Sequence, residues 1–330
     1  DKSYTFAIQI NQKILSLMAK NVNIFSGDSS KYLADKIAEA YGQPLGKVTI
    51  QHFQDGEYQP CFEETIRGND VFIIQSTNAP ADNLLQLLLL IDAAKRASAQ
   101  RVVAMIPYFG FARQDRKDKP RVSIGAKLMT NLLVAAGVDR IITMDLHSDQ
   151  IQGFVDIPVD HMYASSIFVP HLKKMDLPNL TMASPDTGGT KRAAAYAKFL
   201  NTDLVICFKH REVANKVSSL RIIGDVKDKD IVLVDDIIDT AGTITKAANM
   251  MMDMGASSVR AVCTHPVFSG DAEEKIEKSA LTEVLVSDTL ERQQKGKITV
   301  LSTAEIFADV IKRVHKNKSI STHFDFLAMI

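Results

Sequence analysis

A chain of 330 residues with 46% hydrophobic and 24% charged side chains has the make-up of a folded globular protein, with length for one large domain or two ordinary ones. Its 39 Lys and Arg balance 39 Asp and Glu, so no global basic field argues for nucleic acid as a partner. Three cysteines, odd in number and far apart, exclude a disulfide framework and a Cys/His zinc cluster, and point to a reducing cytoplasm.

Residues 1–20 scatter apolar positions among Lys2, Lys13 and Lys20 without a continuous apolar stretch, and read as an uninformative tail. "VNIFSG" then reads as a strand and "SSKYLADKIAEAYG" as a helix. "FQDGE", Phe53 to Glu57, places Asp-Gly where a hairpin turns. "DVFIIQST" is the next strand. The apolar run "LLQLLLLI", residues 84–91, is bounded by Asp82 and Asp92; it is too short to span a bilayer and predicts a core helix. "RVVAMIPYF", the helical "IGAKLMTNLLVAAG" and "RIITMDLH" continue an alternation that predicts a mainly parallel sheet covered by helices.

The rhythm then starts again. "LTMASPDTGGTKRAAAYAKFL" reads as strand, loop and helix, and "DLVICFKHR" as a strand. "DIVLVDDIIDTAGTITKAANMMMDMG" repeats strand, loop and helix. "SVRAVCTHPVF", "TEVLVSDT" and "KITVLST" read as strands before the helical "AEIFADVIKRVHK". The expectation is an α/β fold of two successive domains, 1–167 and 168–317, with the tail 318–330 packing back on the first.

"VLVDDIIDTAGTIT", residues 232–245, crowds Asp235, Asp236 and Asp239 where a buried strand ends, although like charges repel. In open α/β sheets ligands bind outside the carboxyl ends of strands. Thr240, Ala241, Gly242 and Thr243 then offer small side chains, hydroxyls and a helix amino end, all suited to a phosphate. The two acceptor-only carboxylates suit sugar hydroxyls. A sugar phosphate satisfies both halves of the loop.

This motif resembles the phosphoribosyl-pyrophosphate binding loop of the class I phosphoribosyltransferase fold. Alone it leaves open transferases that consume the activated sugar and the synthetase that makes it. "FQDGE", "RQDRKDK" (113–119), "DLHSDQIQGFVDIPVDH" (145–161) and "SPDTGG" (184–189), in that order, resemble the ribose-phosphate pyrophosphokinase family over nearly the whole chain, from about Val22 to Phe324.

The resemblance implies two phosphoribosyltransferase-like domains. It also implies transfer of the diphosphoryl group of ATP to the anomeric hydroxyl of ribose 5-phosphate, giving 5-phosphoribosyl 1-pyrophosphate and AMP for nucleotide biosynthesis. Phe53, Asp55, Glu57, Arg113, Gln114, Asp115 and His147 are implied to contact ATP. Taken alone, the first three read as a hairpin, the next three as a solvated charged loop and His147 as a core histidine. His147 and Asp186 are implied to hold Mg²⁺, and Gly188 and Gly189 to approach pyrophosphate. Lys209 and Arg211 are implied to stabilise the transition state, with Arg211 also at the ribose 5-phosphate beside Asp235, Asp236 and Asp239 to Thr243. The resemblance further implies a homohexamer built from dimers, ADP inhibition and dependence on inorganic phosphate, with neither nucleic acid nor membrane as partner. The readings left in competition are a phosphoribosyltransferase and a non-catalytic regulatory subunit.

Overall fold

The computed structural model describes residues 21–210 and 219–321, and the statements below concern these. Five strands form a wholly parallel sheet: β1 (Val22–Ser26), β4 (Asp70–Ile74), β5 (Arg101–Ile106), β6 (Arg140–Met144) and β7 (Val159–Met162), adjacent in that order. Between β1 and β4, β2 (Val48–His52) and β3 (Tyr58–Phe62) make a separate antiparallel hairpin. Its turn closes with Gly56 N–H on the Phe53 carbonyl, and Gly56 has φ +95°, a conformation that favours glycine. The Asp-Gly reading of "FQDGE" as a hairpin is therefore met.

A second sheet holds seven strands in the order β10 (Ser219–Ile223), β9 (Asp203–His210), β8 (Leu180–Ser184), β11 (Asp230–Ile238), β12 (Ser258–Pro266), β13 (Glu283–Ser287) and β14 (Ile298–Leu301). All neighbours are parallel except β10 against β9. The fold is α/β, with two mainly parallel sheets flanked by helices.

Alternation along the strands divides the apolar residues between two faces. Val103 and Met105 of β5 join one core; Val102, Ala104 and Ile106 join another with Leu87, Leu90 and Ile91 of α2 (Asp82–Arg96). The run 84–91 thus packs one stripe inward, while Leu85 stays 49% exposed. The first of these cores is shared by both sheets. Phe72 from the five-stranded sheet and Val232 and Leu285 from the seven-stranded sheet meet in it. They meet there with α1 (Lys31–Tyr41), α4 (Ser165–Leu172), α5 (Thr190–Leu200) and α8 (Ala304–His315), in chain order around α3 (Gly125–Ala136), α6 (Gly242–Asp253) and α7 (Ala272–Lys278).

Helix α8 ties the end of the chain to its beginning. Phe307 and Ile311 are fully buried in the shared core, Lys312 Nζ donates to the Ala40 carbonyl at 3.0 Å, and His315 Nδ1 lies 2.9 Å from Asp70 Oδ2. Of the tail 318–330, only residues 318–321 are described, and Arg313 Nη1 donates to the Ser319 carbonyl at 2.9 Å. No helix among the described residues is long and apolar enough to cross a membrane.

Candidate active site

The carboxyl ends of β6, β8 and β11 converge on one cavity of about 420 Å³. Strand β11 does not end at the acidic pair, as the sequence suggests: it continues through Asp235 and Asp236 to Ile238. The reason lies in its two neighbours. Pairing with β12 runs to Ile238, opposite Pro266, whereas pairing with β8 stops at Leu233, opposite Ala183. One edge of β11 is left uncovered from Val234 onward. Asp235 and Asp236 sit on this stretch and line the cavity together with Asp186, Gly188 and Gly189 from the loop after β8, and with His147 from the loop after β6.

The carboxylates are held in different ways. Asp236 is 6% exposed, with Oδ2 2.9 Å from His147 Nδ1 and Oδ1 3.8 Å from an Arg192 nitrogen. Burial opposes ionisation of Asp236, but the His147 hydrogen bond and the Arg192 charge outweigh it and hold the carboxyl well below the usual range. Asp235 Oδ1 accepts the amide N–H of Asp236 at 2.9 Å. Burial, then the neighbouring charges of Asp236 and Asp186, push its own pKa well up. His147 is raised from its ordinary value, first by the hydrogen bond to Asp236. The Asp186 carboxylate accepts the Gly189 N–H at 3.0 Å, and a methyl group at Gly189 would meet Ser184 Oγ at 2.9 Å. A side chain at Gly189 would thus displace the Ser184 hydroxyl, which donates to the Asp186 carbonyl.

His147 and Gly188 also line an adjoining cavity of about 740 Å³, whose wall carries Arg113, Gln114 and Asp115. Arg113 crosses to the opposite half: its Nη1 is 2.7 Å from Asp239 Oδ2. Residue 239, expected at the sugar phosphate, is therefore joined to a residue expected at the nucleotide. Thr240, Ala241, Gly242 and Thr243 form the entry to α6, with Ala241 in the left-handed region at φ +58° and no side-chain cap on the helix. They line neither of these two cavities.

The residues on the hairpin stand apart. Phe53 is 43% exposed, Asp55 Oδ1 accepts only the local Glu57 N–H at 3.0 Å, and none of Phe53, Asp55 and Glu57 lines either cavity. Lys209 lies on β9 opposite Leu220, and its side chain is outside the described residues, as is all of Arg211. Among the described residues no group of three His, Cys, Asp or Glu side chains is arranged to hold a metal ion.

Sequence reasoning passed over three members of the site. Asp145, 4% exposed with φ +37°, accepts from Arg192 Nη1 at 3.0 Å and from Thr264 Oγ1. Arg192 lines the cavity and touches both Asp145 and Asp236. Thr264 sits on β12, one residue past the partner of Asp235. Asp145 and Arg192 fall inside or beside quoted motifs, but no spacing rule connects positions 47, 44 and 119 residues apart.

Comparison with known proteins adds a consistent picture. Residues 22–137 match the family described as the N-terminal domain of ribose phosphate pyrophosphokinase, and residues 208–325 match the phosphoribosyl synthetase-associated domain. A ribose-phosphate pyrophosphokinase of Porphyromonas gingivalis is 56% identical over 308 residues, covering 93% of this chain and 98% of that protein. Another from Chlorobaculum tepidum is 51% identical over 311 residues, 93% of this chain and 96% of the relative. The crystal structure of phosphoribosylpyrophosphate synthetase from Mycobacterium smegmatis superposes with a TM-score of 0.86 at 38% identity, covering 90% of this chain and all of that one.

Proposed function

Because this chain belongs to the ribose-phosphate pyrophosphokinase family and is an enzyme that forms 5-phosphoribosyl 1-pyrophosphate, we propose that its two adjoining cavities carry that reaction between ATP and ribose 5-phosphate. One observation carries the assignment of roles. Asp235 and the buried Asp236, on the uncovered edge of β11, share a cavity with Asp186, and His147 and Gly188 also open onto the Arg113 cavity. The ionised Asp236 carboxylate, with Asp235 beside it, takes the ribose hydroxyls, while Arg113 and Gln114 supply donors for the nucleotide. The loop 239–243 takes the 5-phosphate at the amino end of α6.

The anomeric hydroxyl attacks the β-phosphorus in line, and AMP leaves. Little covalent chemistry is asked of the protein, so positioning and compensation of developing charge dominate. Lys209, on the strand next to β8, and Arg211, outside the described residues, are the cations assigned to the transferring group. Their contribution matches the task, since charge grows on non-bridging oxygens during transfer.

Mg²⁺ fits the residues present. Asp186, Asp235 and Asp236 bring three carboxylates to one cavity, where Asp235 is driven toward its neutral form by burial and by the charges of Asp236 and Asp186. Magnesium takes hard oxygen, keeps waters, and is usually held by one or two carboxylates plus substrate phosphates, so no three-residue cage is needed. Asp186 and His147 are the residues that would hold it, and it would supply charge compensation at the phosphoryl oxygens.

The exposed hairpin supports an assembly. Phe53, Asp55 and Glu57, remote from the cavities of their own chain, would complete the nucleotide site of a neighbouring copy in a hexamer built from dimers. The same reading divides the chain into domains 1–167 and 168–317, supported by the two separate sheets, and takes inorganic phosphate as an activator and ADP as an inhibitor. Three free thiols, Cys207 and Cys263 buried and Cys61 exposed, support a reducing compartment, the cytoplasm.

The test is AMP release from ATP with and without ribose 5-phosphate, for wild type and Lys209→Ala. Release should require the sugar and no nucleobase. A protein that releases no AMP from ATP but joins a base to 5-phosphoribosyl 1-pyrophosphate, freeing pyrophosphate, would instead be a phosphoribosyltransferase, and one inactive in both assays a regulatory subunit.

A further inference from the structure

Asp236 is gripped from both sides. His147 occupies Oδ2 at 2.9 Å, and the Arg192 guanidinium approaches Oδ1 at 3.8 Å. Arg192 itself projects from the first turn of α5 and is braced on its other edge by Asp145 Oδ1 at 3.0 Å. Asp145 is in turn fixed by the Thr264 hydroxyl from β12 and by the Ala164 N–H at 3.2 Å. The chain of contacts runs Thr264, Asp145, Arg192, Asp236, His147. It starts in the seven-stranded sheet, passes through the five-stranded sheet, and returns to the strand carrying the acidic pair.

A purely structural ion pair would be sealed in the core. Arg192 is not sealed: its side chain keeps 19% of its surface and faces the cavity that Asp235, Asp236 and Asp186 line. The lysine on that wall, Lys191, is turned to Asp149 at 3.0 Å and is 70% exposed. Guanidinium geometry matters here. A planar fork reaches two carboxylates on two edges at once, which a lysine ammonium at the same position does not reproduce.

We propose that Arg192 is a positioning residue for the sugar. Braced by Asp145 and Thr264, it fixes the orientation in which Asp236 takes the ribose hydroxyls. This deepens the role given to Asp236 and rests on it. Arg192 acts through Asp236 and makes no required contact with the nucleotide.

The experiment is a steady-state and binding comparison of wild type, Arg192→Ala, Arg192→Lys, Asp236→Asn and the Arg192→Ala/Asp236→Asn double variant. Arg192→Ala should raise KM for ribose 5-phosphate about tenfold or more, the size of losing one partner of a buried charged contact. Nucleotide affinity measured without sugar should stay within about threefold, since Arg113 and Gln114 lie in the adjoining cavity. The double variant should be no worse than Asp236→Asn alone, because a residue acting through another is silent once that other is gone. Millimolar guanidinium chloride should restore sugar affinity to Arg192→Ala, where equal sodium chloride does not; Arg192→Lys, which keeps charge and volume, should recover affinity only in part.

Arg192→Ala or Arg192→Lys with a wild-type KM for sugar would overturn the inference and leave the site assignment standing. So would losses that multiply in the double variant, or equal losses of sugar and nucleotide affinity. A normal sugar KM in Asp236→Asn would overturn the assignment of Asp236 itself.

Discussion

His147 Nδ1 lies 2.9 Å from Asp236 Oδ2, joining the end of a strand in one sheet to the exposed edge of a strand in the other. The contact places a residue assigned to the nucleotide and a residue assigned to the sugar on one hydrogen bond. If these assignments hold, the two substrates meet where the two sheets meet.

If Asp236 takes ribose hydroxyls, replacing it with Asn removes charge-assisted acceptance while keeping shape. The expected effect is a rise of about tenfold to a hundredfold in KM for ribose 5-phosphate, from about 1.5–3 kcal/mol per charged hydrogen bond. Initial-rate kinetics over a range of sugar concentrations measure it.

Gly242 is glycine without a backbone need for it. Its φ lies outside the left-handed region, and an added methyl would touch only Thr240 Oγ1 at 3.9 Å. Gly242→Ala should therefore fold at least as stably as wild type, with a gain of up to about 1 kcal/mol from the less flexible unfolded chain. If the 5-phosphate rests against this backbone, the methyl occupies its place, and sugar affinity falls about tenfold or more. Thermal melts beside sugar-binding calorimetry separate the two effects; unchanged affinity would remove the phosphate from this loop.

Arg113 and Asp239 form an ion pair with side chains 49% and 32% exposed. Exposed pairs contribute at most about 1 kcal/mol to stability. Arg113→Ala should leave the melting temperature nearly unchanged while KM for ATP rises about tenfold or more, as for loss of a phosphate-binding guanidinium. A large drop in stability with unchanged KM would make the pair structural.

Two buried histidines make the fold sensitive to acid. His161 is 1% exposed and its Nε2 accepts the Leu146 N–H at 2.8 Å, so the ring must be neutral on that side. Burial lowers its pKa from 6.5 to about 4. His265 donates toward the Met144 and Asp145 carbonyls from Nε2 and is lowered in the same direction by burial. The unfolded chain takes up these protons first, so the stabilisation is complete above pH 6.5 and is lost as pH falls toward 4. For His161 alone the loss is about 3 kcal/mol, from 1.4 kcal/mol per unit. Denaturant unfolding at pH 7 and pH 5 checks it, reading about 2 kcal/mol of the His161 loss over that interval, and His161→Asn should shrink the difference.

Much of this was legible in the chain. The alternation of strand and helix patterns, the hairpin at Asp55-Gly56 and the crowding at Asp235 and Asp236 all follow from local periodicity and charge spacing. The extension of β11 to Ile238 was not, because it depends on where its neighbour β8 stops. Nor were the contacts of Arg192 with Asp145 and of Arg113 with Asp239, which span 47 and 126 residues. Such pairs are set by how two sheets dock through a shared core, and the sequence, which points Arg113 to a nucleotide and leaves Arg192 unremarked, names neither carboxylate partner. The hairpin was legible as a local structure, while its distance from the cavities of its own chain was not.

The most direct test of the account is ³¹P NMR of purified enzyme with Mg²⁺, ATP and ribose 5-phosphate. AMP should appear in equal amount to a sugar carrying a diphosphoryl group on its anomeric oxygen, with neither signal growing when ribose 5-phosphate is omitted. ADP accompanied by a sugar bisphosphate, or AMP and free pyrophosphate formed without the sugar, would contradict it.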